Sequence, residues 1–325
     1  DFPSINRETP KTAFRSLKLA DRLKDLAMNA IVLVDKPAGI SSADVVRRIK
    51  SRVKPARVGH LGTLDPFATG LLPIMIGEAT KLAPFIDGGD KTYAGLIRLG
   101  TETDTLDRDG AVVRTAEVPV VSPEKIAEVA ARFTGVIDQV PPVYSAIKRD
   151  GVPLYRLARR GENVEPPEIR RVEIKHLELS RDAHSADALR FVAVCTPGTY
   201  ARALARDIGI ALGTVAHLEE LRRTRNGTFS LADASPLPDV LAALDSAAPI
   251  PHLSTLRAAL PDTPELAVDT RIEARLRNGD SRALDSLAPP GAELFKVIST
   301  TGDLIAIART SSRVTAIIER IFNPD

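Results

Sequence analysis

The chain has 325 residues, is 44% hydrophobic, and carries a formal net charge of only +2. That length suffices for two domains, or one large domain with an appendage, and no run of ~18 apolar residues is present to cross a membrane as a helix. The single cysteine, Cys195, has no partner for an internal disulfide, which suits a reducing cytosol, and so small a net charge selects nucleic acid as a partner only if the basic residues gather on one face.

Residues 1–27 precede the first strand-like run and read as an N-terminal extension. Within it, Lys11 to Leu26 spaces Phe14, Leu17, Leu23 and Leu26 as one face of a short amphipathic helix. The extension lacks the apolar core of a secretory signal, and Glu8, Asp21 and Asp25 count against a transit peptide. Ile31 to Val34 is an apolar run closed by Asp35-Lys36-Pro37, a buried strand entering a turn. Ser41-Ser42 caps a helix over about Ala43 to Arg52. The outer face of this helix carries Arg47, Arg48, Lys50 and Arg52, followed by Lys54 and Arg57, either as solvated charge or as an approach for phosphates.

Gly59 to Pro73 holds three glycines and two prolines within fifteen residues, which predicts irregular backbone until Leu71. Asp65 stands before Pro66 and is pushed toward an extended conformation, one carboxylate on a stiff loop. Strands are predicted at Leu72 to Ile76 and Lys91 to Leu99, with a helix over Glu78 to Phe85 between them. Alternation in the second strand puts Tyr93, Gly95, Ile97 and Leu99 on one side. Thr101 to Gly110 reads as an acidic loop, Pro123 to Phe133 as a helix, and Pro141 to Lys148 as extended chain. Val152 to Gly161 adds the basic cluster Arg156, Arg159 and Arg160. Ile169 to Leu179 and Leu189 to Cys195 pair as strands, an apolar helix follows to Leu212, and a last strand lies within Thr214 to Arg225. From about Pro249 a Pro-spaced linker leads to short strands at Phe295 to Ser299 and Leu304 to Ala308, with Gly279 and Gly302 in turns. Residues 250–325 carry nine Lys/Arg against ten Asp/Glu, so this tail has no basic excess of its own.

Read alone, Asp65 fits a turn former bonding its own backbone as well as it fits a reacting group. The glycine spacing matches neither G-x-G-x-x-G nor G-x-x-x-x-G-K-[ST]. A metal site needs more ligands than His60, the one candidate nearby.

The run GHLGTLDPFATGLLPIMIGEATK, residues 59–81, resembles the catalytic motif of the TruB family of pseudouridine synthases, which modify the T loop of tRNA. Three further segments carry the resemblance: the strand into Asp35-Lys36-Pro37, Pro141 to Lys148, and Gly198-Thr199-Tyr200-Ala201-Arg202 with Leu221-Arg222-Arg223 beyond it. It covers about Met28 to Leu244, with departures at Leu61, where the family more often has Thr, and at Ala201, where it has a larger aliphatic residue. The resemblance implies an α+β pseudouridine synthase fold, a central mixed or antiparallel sheet flanked by helices, over residues 28–248. It implies a small β-rich, PUA-like RNA-binding domain over 249–325. If that domain adds RNA contacts far from the chemistry, its removal is expected to weaken tRNA binding and spare turnover; the alternative is a small β-rich packing domain, since the tail has no basic excess to draw RNA.

Isomerising uridine breaks the N1–C1′ bond, turns the uracil and rejoins it through C5, a change that needs no cofactor and no metal. The resemblance assigns catalysis to Asp65, as nucleophile at C1′ or as base at C2′, with Arg202 as the guanidinium that orients it. The target base must be flipped out of its loop. Tyr93 is implied to stack on the uracil, His60 to fill the space it vacates, Tyr200 and Leu221 to wall its pocket, and Lys148 with the basic clusters to meet phosphates. The expected protein is a cytoplasmic monomer acting on the tRNA T stem-loop, with no membrane and no obligatory protein partner. Three competitors remain: an RNA-binding module with dispensable catalysis, a guide-RNA-dependent subunit of the archaeal and eukaryotic branch, and an aspartate hydrolase. The last lacks a second carboxylate at a defined spacing.

Overall fold

The computed structural model describes residues 29–323 apart from 87, 163, 286, 290, 291 and 311–315. The extension expected over 1–27 lies outside the described residues.

Strand β1 (Ala30–Lys36) turns Ile31 and Leu33 to one face and Val32 and Val34 to the other, and all four are buried. A strand covered on both faces reads as a continuous apolar run, which is what its sequence shows. Helix α1 (Ser42–Lys50) starts at a capping box: the Ser41 hydroxyl accepts from the Asp44 N–H and the Asp44 carboxylate accepts from the Ser41 N–H. Strand β2 (Val58–His60) and strand β3 (Thr69–Ile76) then pair antiparallel. Regular structure thus extends into both ends of the glycine-rich segment, leaving residues 61–68 as the irregular loop. The helix expected over Glu78 to Phe85 is a 3-10 turn, Gly77–Leu82, with the short helix α2 (Ala83–Ile86) after it.

Strand β4 (Lys91–Leu99) is central. The acidic loop expected over Thr101 to Gly110 is strand only at its start, β5 (Thr101–Thr103); its remainder, 104–110, connects β5 to β6 (Val112–Thr115) as a hairpin. Helix α3 (Pro123–Arg132) begins with Pro after the Ser122 cap and precedes β7 (Gly135–Gln139). The basic segment folds as the small hairpin β8 (Lys148–Arg149) and β9 (Val152–Pro153) followed by α4 (Leu154–Arg159). Strands β10 (Arg170–Arg181) and β11 (Ala188–Cys195) pair antiparallel as expected, and α5 (Ala201–Ala211) leads to β12 (Ala216–Asn226).

Short pieces β13 (Phe229–Ser230), β14 (Ser235–Pro236) and β15 (Leu253–Ser254) flank helix α6 (Leu237–Ser246). The principal sheet runs β14-β1-β3-β12-β4-β11-β10-β7, with β2, β13 and β15 attached at its sides. Most pairs are antiparallel, but β3 and β12 run parallel through Arg222–Thr69 and Arg223–Gly70. The C-terminal part holds β16 (Glu265–Ala267), α7 (Thr270–Arg277), β17 (Phe295–Ile298), β18 (Leu304–Thr310) and β19 (Ala316–Ile321), forming a second four-stranded sheet.

One apolar cluster joins Val32, Val45, Leu64, Phe67, Tyr93, Ile208 and Leu221 on the helix-covered face of the principal sheet. A second cluster lies on the other face of β1 and β3 and is completed by Leu256, Leu260, Ile298, Leu304, Ile307 and Phe322 from the C-terminal part. Residues 249–325 thus pack against the principal sheet, as a packing domain would. They cover Ile31, Leu33, Leu61 and Leu71; Leu61 opens the loop that carries Asp65 and Leu71 lies in β3 just after it.

Candidate active site

Asp65 lies in the irregular loop between β2 and β3, and Arg202 is the second residue of α5, the two being 137 positions apart in sequence. Their side chains meet in a two-point contact: Arg202 Nε lies 2.9 Å from Asp65 Oδ2, and Nη2 donates to Oδ1 at 3.1 Å. Two backbone carbonyls also accept from the guanidinium. Nη1 donates to the Thr105 carbonyl at 2.8 Å and Nη2 to the Tyr144 carbonyl at 2.9 Å. Nη1 also faces Asp107 Oδ2 at 3.6 Å. Arg202 is buried, whereas one third of the Asp65 side chain stays open to solvent. A planar fork held on every side fixes where the carboxylate points, and the exposed part of Asp65 is the part a substrate can reach.

Asp107 was not singled out by the sequence, where it is one of several acids in a stretch read as a loop. The fold selects it by docking residues 106–108 on β12: Leu218 donates to the Leu106 carbonyl and Arg108 donates to the Leu218 carbonyl. Burial pushes the Asp107 carboxyl above its ordinary value, opposed by the Thr105 hydroxyl bonded at 2.6 Å and by Arg202.

Two buried cations stand behind the loop. Lys36, at the end of β1, donates to the carbonyls of Pro37, Ile40 and Pro66 at 3.0, 2.9 and 3.2 Å. Burial lowers its pKa to about 8, against the pull of Asp65 and with a further push from Arg223. Arg223 is fully buried and donates through Nε to the Leu71 carbonyl at 2.8 Å and through Nη2 to the Gly62 carbonyl at 2.9 Å. Asn226 donates to the Leu61 carbonyl at 3.0 Å. Both cations lie in segments that carry the family resemblance, Asp35-Lys36-Pro37 and Leu221-Arg222-Arg223, but nothing in their spacing tells a loop-holding role from a surface one.

The other expected residues are placed as follows. Tyr93 is buried in β4, across from Arg223 on one side and Ala193 on the other. Burial raises its hydroxyl pKa, and Arg223 opposes the rise. Leu221 is buried on β12 opposite Gly95 and shares the core cluster of Tyr93, Leu64 and Phe67. Tyr200 is half-buried at the start of α5, its N–H and C=O gripped by the Gln139 side-chain amide at 2.8 and 3.2 Å. His60 ends β2, half-buried opposite Ile74. Lys148 is exposed on β8 and forms no ion pair among the described residues, so the fold does not tie it to Asp65. Near it on α4, Arg156 and Arg159 lie over the Tyr155 ring at 6.0 and 5.7 Å.

Comparison with known proteins adds a family. Residues 49–201 match the model for the N-terminal domain of TruB family pseudouridylate synthases, and residues 202–262 match that of the tRNA pseudouridylate synthase B C-terminal domain. Asp65 falls in the first match and Arg202 opens the second. The tRNA pseudouridine synthase B of Burkholderia mallei is 41% identical over 299 residues, covering 91% of this chain and 94% of that one. That of Geobacter sulfurreducens is 42% identical over 241 residues, covering 70% and 78%. The backbone resembles a solved Cbf5-Nop10-Gar1 complex, with TM-score 0.67 at 23% identity over 98% of this chain and 92% of that chain. At that identity the likeness speaks for the fold.

Proposed function

The chain belongs to the TruB family, isomerases that convert uridine in tRNA to pseudouridine, and from that premise we propose that its target is a uridine in the T loop, with Asp65 as the catalytic carboxylate. The observation that carries the assignment is the two-point Arg202–Asp65 contact, in which a buried guanidinium aims a partly open carboxylate. In the reaction the N1–C1′ bond breaks with its electron pair leaving on uracil. The ring then turns, C5 bonds to C1′, and the C5 proton is lost as N1 regains one. Asp65 serves either by attacking C1′ or by taking the C2′ proton, and both need its oxygen free of a proton and fixed in direction. Tyr93, Leu221, Tyr200 and His60 are read as the uracil pocket of a flipped nucleotide. The exposed Arg156, Arg159 and Lys148 are read as phosphate contacts. The C-terminal sheet is read as a PUA-like domain that adds RNA contacts.

The test is to incubate the purified chain alone with an unmodified tRNA transcript, digest the RNA and analyse its nucleosides. Pseudouridine confined to the T loop is the expected product. Its absence, or its appearance only with a guide RNA or partner proteins, overturns the proposal.

A further inference from the structure

Ser42 is the first residue of α1, yet its hydroxyl does nothing for that helix. The helix start is already satisfied by the capping box of Ser41 and Asp44. Instead the Ser42 hydroxyl reaches across 22 positions of sequence to Leu64, the residue before Asp65. It accepts from the Leu64 N–H at 2.9 Å and donates to the Leu64 carbonyl at 3.0 Å. Ser42 and Leu64 are both buried. Leu64 belongs to no strand, and these two bonds are the ones its backbone makes among the described residues. One side chain thus does for Leu64 what a neighbouring strand does for a ladder residue.

The far side of Asp65 is held as firmly. The Pro66 carbonyl accepts from the Gly39 N–H at 2.8 Å and from Lys36 at 3.2 Å. The Asp65 carbonyl accepts from the Ala68 N–H at 3.2 Å. Arg202 fixes the tip of the side chain, but a two-point contact holds only as well as the backbone from which Asp65 projects. We propose that Ser42 is a positioning residue for the Asp65 carboxylate: its double hydrogen bond to Leu64 sets the place and direction of the Asp65 Cα–Cβ bond. α1, with its basic outer face, thereby becomes part of the framework of the active site. The proposal rests on the reading of Asp65 as the catalytic carboxylate.

The test measures single-turnover pseudouridine formation at saturating enzyme, tRNA affinity and thermal midpoint for wild type, Ser42→Ala and Asp65→Asn. Ser42→Ala is expected to slow the chemical step by about 10- to 100-fold, the order expected for a catalytic group displaced by ~1 Å, with tRNA affinity within about twofold of wild type. The pair Ser42→Thr and Ser42→Val differs only in keeping or losing the hydroxyl oxygen, so it carries the test if the alanine variant does not fold. The Thr variant is expected to be the faster of the two by the same order. A Ser42→Ala rate within twofold of wild type beside an inactive Asp65→Asn overturns the clamp and leaves the Asp65 reading standing. So does a loss confined to tRNA affinity. Turnover by Asp65→Asn overturns the catalytic reading and the clamp with it.

Discussion

The Arg202 guanidinium is the residue on which the site's geometry turns, because all three of its nitrogens face acceptors, two of Asp65 and two backbone carbonyls at bonding distance. A lysine keeps the charge but cannot present a planar fork. Arg202→Lys is therefore expected to lower turnover at saturating tRNA by about 100-fold or more, with tRNA affinity nearly unchanged. Near-normal turnover would show that charge alone is required. Asp107 gives a second handle, through pH. Its carboxyl titrates above 3.8 in the folded protein because burial disfavours the charge. The folded state therefore binds this proton more tightly than the unfolded one. The stability it confers is fully present below pH 3.8 and is lost as pH rises through the raised value. For turnover the sign reverses, since the neutral form no longer pairs with Arg202. The acid limb of turnover in the wild type is expected to lie at higher pH than in Asp107→Asn, whose maximal rate is also lower. Superimposable pH–rate profiles would remove Asp107 from that role.

Among the elements, β12 does the most to assemble the site. At Leu218 it docks the segment bearing Thr105 and Asp107, at Leu221 it faces Gly95, and through Arg223 and Asn226 it grips the Asp65 loop. Its parallel contact with β3 brings Gly70 against Arg223 so closely that a Cβ on Gly70 would lie 2.4 Å from the Arg223 carbonyl oxygen. Gly70 also has φ of +99°. Gly70→Ala is thus expected to destabilise the protein by more than about 2 kcal/mol, from backbone strain and steric overlap together, which thermal unfolding would measure. The same pairing explains why β3 starts at Thr69. A glycine read as breaking regular structure is here the residue that lets two strands approach.

Over the whole molecule, the small C-terminal sheet is a structural partner of the principal one. Ile298, Leu304, Ile307 and Phe322 close the cluster containing Ile31, Leu33, Leu61, Leu71 and Met75. Ending the chain at residue 249 would bare that face, so the truncated protein is expected to be insoluble or to lose turnover together with stability. A soluble truncation that turns over normally at saturating tRNA and binds it weakly would restore the separable-module view. The C-terminal part is also braced internally by charge. Lys296 donates to the Leu260 carbonyl at 2.6 Å and lies 2.9 Å from Glu265, which Arg257 holds in a two-point contact. Arg257, above all, lowers the Glu265 pKa to about 2. Its contribution is present above pH 4.5 and lost as pH falls toward about 2. Because Glu265 is partly exposed, that contribution is expected to shrink as salt is added.

The chain order of strands and helices was legible because apolar periodicity and cap residues are local signals. β1, the capped start of α1, β4, the β10–β11 pair and the strand-to-helix turn before Arg202 all follow from them. The Asp65 loop was legible through a contiguous run of type-restricted residues, and Arg202 only through the separate Gly198 to Arg202 segment that resembles the same family. Tertiary structure alone decided which of several acids is Asp107, which buried cations hold the loop, and that the Ser42 hydroxyl bonds Leu64 and not its own helix. It also decided that the C-terminal sheet seals the principal one. These are meetings between residues tens to hundreds of positions apart, fixed by strand register and by the need to pair every buried polar group. Local pattern carries no record of which distant partner will be there.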